Sequence, residues 1–477
     1  MTAKRYKFEE IALEIEENII SLHYRTGDKL PSVRTLKDRY NTSIATIQRA
    51  YEHLLIKDLV RSEPKSGYYV KYQPAAHPIN YEKKKIPLVV RDAFFTDHLS
   101  RITSLRSTKS ELSEFNVAQP GDFFIPQKLI LRTMQQVIRE KSASLLRYYP
   151  ANGSTALKEQ IVQRAATYKT IINPEELIIT DGALQALYIA LASVCTPGDL
   201  VAVESPCVFS VLEIIRVQKL RVVEIPVDIH QGFDIDFLKK ACQKTDIKAV
   251  IVTPNFHNPT GCLLSDEQKK YLLALIHEKG IPLIENDIYG DLHYAGHRPV
   301  NIKSLDESGL VLTCSSYSKS LAPGIRLGWL SAGQFFEKAE QIRYVLGSTV
   351  SPIYQETIAR LISSTGYDRH VRLFRNQLAR QCYHTQNLIT RFFPESTAVS
   401  TPTGGSNLWV QMDEKLDMEL FYKHCEQTGI RFTPGYTFSF SRAYNPFFRL
   451  VFSDKYSVLR EKALAIAGET AVRLLDA

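Results

Sequence analysis

The chain has 477 residues, 44% of them apolar and 23% charged, a globular mixture long enough for two to four domains at roughly 100–200 residues each and too apolar for a disordered chain. No run of about 18 apolar residues occurs, and the N-terminus turns acidic at Glu9 and Glu10 where a secretory core would begin, so neither a membrane span nor an export signal is read and a cytoplasmic location is expected. The net charge of +8 is uneven: residues 1–72 carry 13 basic and 10 acidic groups, 73–112 carry 7 and 4, and the rest carry 39 and 37, so a small basic module precedes a nearly neutral large one.

Phe8, Ile11, Ala12, Ile15, Ile19 and Leu22 recur at helical spacing opposite Glu9, Glu10, Glu14, Glu16 and Glu17, which predicts an amphipathic first helix. Arg25-Thr26-Gly27-Asp28 breaks it. Pro31-Ser32 starts a second, short helix reaching Tyr40, and Thr42-Ser43 offers an N-cap for a third over 44–55. Lys65-Ser66-Gly67 then separates two β-type stretches, around Val60 and at Tyr68-Tyr69-Val70, as in a hairpin. Helix, helix-turn-helix and hairpin in about 70 residues is the winged-helix plan.

Residues 73–112 hold Pro74, Pro78, Pro87 and Lys83-Lys84-Lys85 without a sustained period and read as a linker. Beyond it, apolar runs at 177–180, 200–203, 221–225, 249–253, 282–285 and 310–314 alternate with helical stretches. That alternation predicts an α/β unit with a buried, mainly parallel sheet. Seven cysteines, never closer than twelve residues apart, suggest neither a disulfide framework nor a metal knuckle, and read as reduced thiols, mostly in the core.

Chemistry gathers at the ends of these strands. Ser315-Ser316-Tyr317-Ser318-Lys319-Ser320 leads to Pro323-Gly324-Ile325-Arg326. It offers a lysine able to form a Schiff base, with two hydroxyls and a guanidinium suited to a phosphate. Asn255-Phe256-His257-Asn258-Pro259-Thr260-Gly261 presents an amide in a tight turn, and Ile284-Glu285-Asn286-Asp287-Ile288-Tyr289 ends a strand with a carboxylate and a phenol. An aspartate at a protonated pyridine nitrogen keeps the ring electron-withdrawing, and a phenol or amide can bond the ring oxygen. Thr180-Asp181-Gly182-Ala183-Leu184 is a strand-to-helix turn whose amides can hold a phosphate.

Gly27-Asp28-Lys29-Leu30-Pro31-Ser32-Val33-Arg34-Thr35-Leu36, with Ser43, Thr46, Ala50-Tyr51-Glu52-His53-Leu54 and the wing Ser66-Gly67-Tyr68-Tyr69-Val70, resembles a GntR-type winged helix over residues 6–71. The resemblance implies dimeric binding to a double-stranded DNA operator. Arg34 and Arg49 would contact phosphate or base, Ser43, Thr46 and Gln48 would face the major groove, and Lys65 and Gly67 would lie at the wing. Ile44 stands where that family usually carries an arginine.

The strand-end segments, with Tyr148-Tyr149-Pro150-Ala151-Asn152-Gly153 and Phe448-Arg449-Leu450, resemble fold-type I pyridoxal-phosphate aminotransferases over roughly residues 113–477. Carried across, Lys319 is the aldimine lysine, Asp287 the pyridine partner, and Asn258 and Tyr289 the ring-oxygen partners. Ser316, Ser318, Arg326 and the backbone of Ala183 and Leu184 hold the phosphate. Arg449 grips a substrate carboxylate, and Tyr149 reaches the opposite subunit's phosphate or lines the substrate site. The aromatic that stacks on the ring falls at Val208, with Phe209 one place later as its substitute.

Both halves together resemble the MocR subfamily of bacterial regulators over the full chain. That resemblance implies a winged helix at 1–72, a linker at 73–112 and an aminotransferase-like domain at 113–477, with a large sheet domain and a smaller C-terminal α+β subdomain. The expected protein is a homodimeric transcription regulator, not primarily an enzyme, that senses pyridoxal 5'-phosphate or an amino compound and needs no metal. The alternative is a working aminotransferase, converting amino acid to 2-oxo acid, that carries a DNA-binding module.

Overall fold

The N-terminal helices form where apolar periodicity and caps coincide. In the computed structural model, which describes residues 6–20, 23, 24, 27–57, 59–64, 66–71, 86–94, 113–294, 296–347, 349–455 and 457–476, they are α1 (Lys7–Ile20), α2 (Val33–Arg39) and α3 (Ile44–Ile56). Ser32 and Ser43 cap the second and third, each hydroxyl accepting an N–H three residues on at 3.1 Å. Ile11, Ile15, Leu36, Ile47 and Leu54 close one small core between the three helices. The wing, β1 (Val60–Glu63) against β2 (Gly67–Val70), is antiparallel and tied to α3 by the Tyr51 and Tyr68 rings, stacked at 4.0 Å.

The larger unit is organised by one nine-stranded sheet. Its strands are β3 (Val90–Asp92), β5 (Leu177–Thr180), β6 (Leu200–Ser205), β7 (Arg221–Asp228), β8 (Gly232–Phe233), β9 (Ile247–Val252), β10 (Leu283–Asn286), β11 (Val311–Ser316) and β12 (Gly328–Ser331), while β4 (Ser113–Glu114) pairs elsewhere. The order is β3-β7-β6-β9-β10-β11-β12-β5, with β8 on β7. The centre is parallel; β3 and β12 run against their neighbours.

Continuous apolar strands serve two cores because side chains alternate between faces. In β6, Val201 and Val203 join Ile251 and the helix Ala183–Val194, whereas Leu200 and Ala202 join Val250 and the helices Ile235–Lys244 and Asp266–Lys279. β3, inside the stretch read as linker, covers the sheet edge beside β7 and brings Arg91 to 3.8 Å from the buried Glu224.

A smaller C-terminal unit packs helices on a four-stranded antiparallel sheet that includes β14 (Asn407–Gln411) and β17 (Phe447–Val451), after the short β13 (Ala398–Val399) and with β15 (Ile430–Arg431) and β16 (Thr433–Pro434) between them; β15 pairs with β4 instead. The helix Thr365–Phe392 joins the two units: Tyr367 and Val371 lie in a large-unit core, and Phe374, Leu378, Cys382 and Ile389 in the small-unit core. The same helix packs against α3. At the start of the winged helix, Tyr6 Oη lies 3.0 Å from His297 Nε2.

Five of the seven cysteines are buried and none is in a disulfide. Among the described residues no helix is long and apolar enough to cross a membrane. Leu54, on α3, is fully buried in the core shared with α1 and α2, so Leu54→Ala is expected to cost about 2–5 kcal/mol. Urea unfolding followed by circular dichroism measures this, and a negligible change would contradict the packing of the three helices.

Candidate cofactor and DNA sites

One end of the sheet collects most of the expected site residues. β5 turns at Asp181-Gly182 into the helix Ala183–Val194, where Gly182 is the N-cap at φ +85° and no side chain caps the first turn. The leading amides of Ala183 and Leu184 therefore lie at a helix N-terminus without a side-chain competitor. Arg326, at the mouth of β12, donates from Nη2 to the Asp181 carbonyl at 3.0 Å. A Cβ on Gly182 would meet that guanidinium at 3.1 Å, and one on Gly328 would lie 2.6 Å from the Gly182 carbonyl carbon and 2.9 Å from Ala183 N. Two glycines thus let strand, turn and arginine close on one point.

The loop after β11 completes this end. Ser316 Oγ lies 2.9 Å from both Ser318 Oγ and the Leu327 carbonyl, and it accepts the Ser318 N–H at 3.1 Å. Lys319 follows, half-buried, with Nζ donating to the Ala118 carbonyl. Two hydroxyls, a guanidinium and a helix N-terminus beside a lysine amine are the donor set that the phosphate and aldehyde of pyridoxal phosphate need. The residues fit that cofactor.

Asp287 stands at the end of β10, 1% exposed. Its Oδ1 accepts from Asn255 Nδ2 at 2.9 Å, and its Oδ2 accepts from Asn301 Nδ2 at 2.9 Å and from Arg298. Lys269, buried beneath, donates to Asn255 Oδ1 and the Val300 carbonyl, both at 2.9 Å. Burial pulls the Lys269 amine below its ordinary range, against the pull of Glu285. Of these partners only Asn255 lies in a motif read from the sequence. Arg298 and Asn301 carry no spacing signal.

Asn258, Tyr289 and Arg449 form the third part. Asn258 Nδ2 donates to Tyr289 Oη at 3.2 Å, and Arg449 Nη1 donates to Asn258 Oδ1 at 3.2 Å. Arg449 Nη2 reaches the Asn116 carbonyl at 2.5 Å and Thr433 Oγ1 at 3.0 Å, and its buried Nε has no partner. Every one of these acceptors is neutral. Burial lowers the guanidinium to about 10, opposed by Tyr289. A cation this buried, with neutral partners only, is costly in the absence of an anion.

The remaining expected residues have contacts of their own. Phe209 opens the helix Phe209–Val217 and packs edge-on against Phe438, 6.2 Å between centroids, while Val208 joins a large-unit core. Phe438 in turn sits over the Arg449 guanidinium at 5.3 Å. Tyr149 faces Glu356, whose carboxylate, after burial, raises the phenol's pKa.

The winged helix presents Arg34, Gln48 and Arg49 as exposed side chains. Arg49 lies over the Phe8 ring at 5.0 Å, and Gly67 turns the wing at φ +124°. Ser43 Oγ is spent on capping α3 and lies 2.8 Å from Thr46 Oγ1, so both hydroxyls already have partners. Lys65 lies outside the described residues.

Residues 112–463 match the family model for aminotransferase class I and II, and residues 7–70 that for bacterial regulatory proteins of the gntR family. The chain is 31% identical to the HTH-type transcriptional regulator YjiR of Escherichia coli strain K12, over 98% of its own length and all of that relative. It belongs to this family of transcription regulators with an aminotransferase-like domain. The regulator is also 30% identical to YdcR of the same organism, over 97% of this chain and 98% of that one. Its fold is that of the Pyrococcus horikoshii kynurenine aminotransferase solved with PMP: TM-score 0.74, 24% identity, covering 80% of this chain and 96% of that one.

Overpacking where no space exists costs about 1–3 kcal/mol. Gly328→Ala is therefore expected to weaken uptake of pyridoxal phosphate about tenfold without removing any donor. Absorbance titration of purified protein measures it; unchanged uptake would mean that the turn does not hold the phosphate.

Proposed function

We propose that this regulator is a homodimer in the cytosol that binds pyridoxal 5'-phosphate at Lys319 and senses the cofactor or an amino compound, changing its hold on an operator. The observation that carries the reading is Arg449, a buried guanidinium whose acceptors are all neutral and whose Nε is unpartnered. Such a group suits the carboxylate of an incoming amino acid. The cofactor, when bound, supplies an aldehyde that reacts reversibly with amines and a ring that withdraws electrons.

The chain's residues do the remainder. Lys319 supplies the amine, and Ser316, Ser318, Arg326 and the amides of Ala183 and Leu184 hold the phosphate. Asp287 would accept a hydrogen bond from the ring N–H, and Asn258 and Tyr289 would bond the ring oxygen. Phe209 would supply the aromatic that stacks on the ring, and Tyr149 would reach the partner subunit's phosphate or line the substrate site. Arg34 and Arg49 would contact phosphate or base, Lys65 and Gly67 would serve at the wing, and Thr46 and Gln48 would face the major groove. Ser43 acts through the helix it caps.

The division into 1–72, 73–112 and 113–477 gives this reading its parts. The helix Thr365–Phe392, rooted in both cores and packed on α3, supports a route by which subdomain closure would bear on the winged helix. Lys319→Ala is expected to abolish the cofactor's visible absorbance and any cofactor response in gel-shift assays, with basal DNA affinity within about threefold of wild type. A variant that responds like wild type would overturn the sensing role.

The complete set of Lys319, Asp287 and Arg449 also suits catalysis, the second reading. Turnover of an amino-acid panel with a 2-oxo acid separates the two, because enzyme-like rates of about 1–10³ per second would favour the aminotransferase.

A further inference from the structure

A second cationic cleft, of about 340 Å³, lies between the helix Thr155–Ala166, the helix Thr365–Phe392 and the loop 291–298. Four guanidinium groups, Arg164, Arg298, Arg372 and Arg375, line it against two carboxylates, Asp291 and Asp368. Arg298 is committed to Asp287 and to Asp291, where Nε meets Oδ1 at 2.8 Å. Arg164 pairs with Asp368 at 3.0 Å, yet its Nε is buried without a partner. Arg375 spends its Nε on the backbone carbonyl of Asp291, at 2.5 Å, and not on a carboxylate.

The wall also contains His293, 6% exposed, with Nδ1 unpartnered. Burial and then the charge of Arg375 press its pKa down to about 3, Asp291 acting in the opposite direction, so the ring is neutral and has one N–H to give. Unsatisfied buried donors cost free energy unless a ligand or ion takes them. The side chains of Arg164, Arg375 and His293, two of them with a buried nitrogen that has no partner, all line one space, with Arg372 exposed at its rim.

We propose that this cleft is a second anion site, distinct from the seat at Arg449, which takes a small ligand through a carboxylate or a phosphate. Arg375 and Arg164 would grip its oxygens, and His293 would donate a third bond. Because Arg298 belongs both to this wall and to Asp287, occupancy would be felt at the pyridine end of the cofactor site. His297, on the same lining, is the residue that meets Tyr6 of the winged helix.

The test uses the full chain loaded with pyridoxal phosphate, at constant ionic strength, titrated calorimetrically with inorganic phosphate in one arm and succinate in the other. Saturable binding of at least one probe is expected, and the tighter arm identifies the headgroup. Arg375→Met should weaken that binding about tenfold or more while the cofactor's absorbance stays unchanged. If that variant does not fold, Arg375→Lys keeps the charge and stem but loses the fork, with an expected loss of about threefold.

The proposal is overturned if neither probe saturates, or if a folded Arg375 variant binds as wild type does. Binding that survives Arg375→Met but disappears in Arg449→Met would assign the anion to the substrate seat and overturn it too. A chain that takes up no cofactor would instead sink the function proposed above, since the same titration can be run on that chain with Arg375 as the discriminating position.

Discussion

A carboxylate removed from water has to be matched by donors, and the cofactor half of this protein is arranged around that requirement at Asp287. Two segments distant from each other in the chain, one with Asn255 and one with Arg298 and Asn301, supply its donors, and Lys269 on a third steadies Asn255 from below. Breaking a buried pair of this kind typically costs about 3–5 kcal/mol, so the turn after β9, the loop after β10 and the helix Asp266–Lys279 hold one another in place. Asp287 also fixes the neighbouring strand, since its N–H donates to the Cys314 carbonyl at 2.8 Å and Ser315 Oγ donates to its own carbonyl at 3.0 Å. Through β11 the position of Asp287 therefore bears on the loop that carries Ser316, Ser318 and Lys319.

Much of this was readable from residue order because strands buried on both faces leave uninterrupted apolar runs, and because strand ends are where a parallel sheet binds its ligands. The run at 177–180 is β5 itself, and 200–203 opens β6. β12 escaped because four residues around Trp329 have no period, and it is held between two antiparallel partners, β11 just before it and the distant β5. β3, three residues with Arg91 and Asp92 among them, reads as linker until the edge of β7 is seen beside it. Arg298 is invisible for a different reason: a lone arginine in a loop is ordinarily a solvated cation, and only the fold brings it to Asp287. Ser43 shows the converse, a residue legible as polar and helix-initial whose hydroxyl the backbone has already engaged.

The helix Thr365–Phe392 gives the molecule its mechanical character. Helices that belong to one core follow that core; this one is clamped at its start by Tyr367 and Val371 and along its length by Phe374, Leu378 and Ile389. A rotation of the small unit cannot leave it unmoved, because packed cores shift between discrete arrangements and do not deform smoothly. α3 rests on this helix. The third helix of the winged helix is thus attached to an element rooted in both cores.

The pairing of β3 with β7 fixes how long a leash the winged helix has. With Val90–Asp92 paired to the sheet edge and Ile86 buried beside Trp409, the stretch between Lys71 and Ile86 reaches at most roughly 55 Å even when fully drawn out. The winged helix is accordingly held within that radius of the sheet edge. Inserting residues into 72–85 would enlarge that radius, whereas lengthening the chain beyond Val90 would loosen the anchor itself.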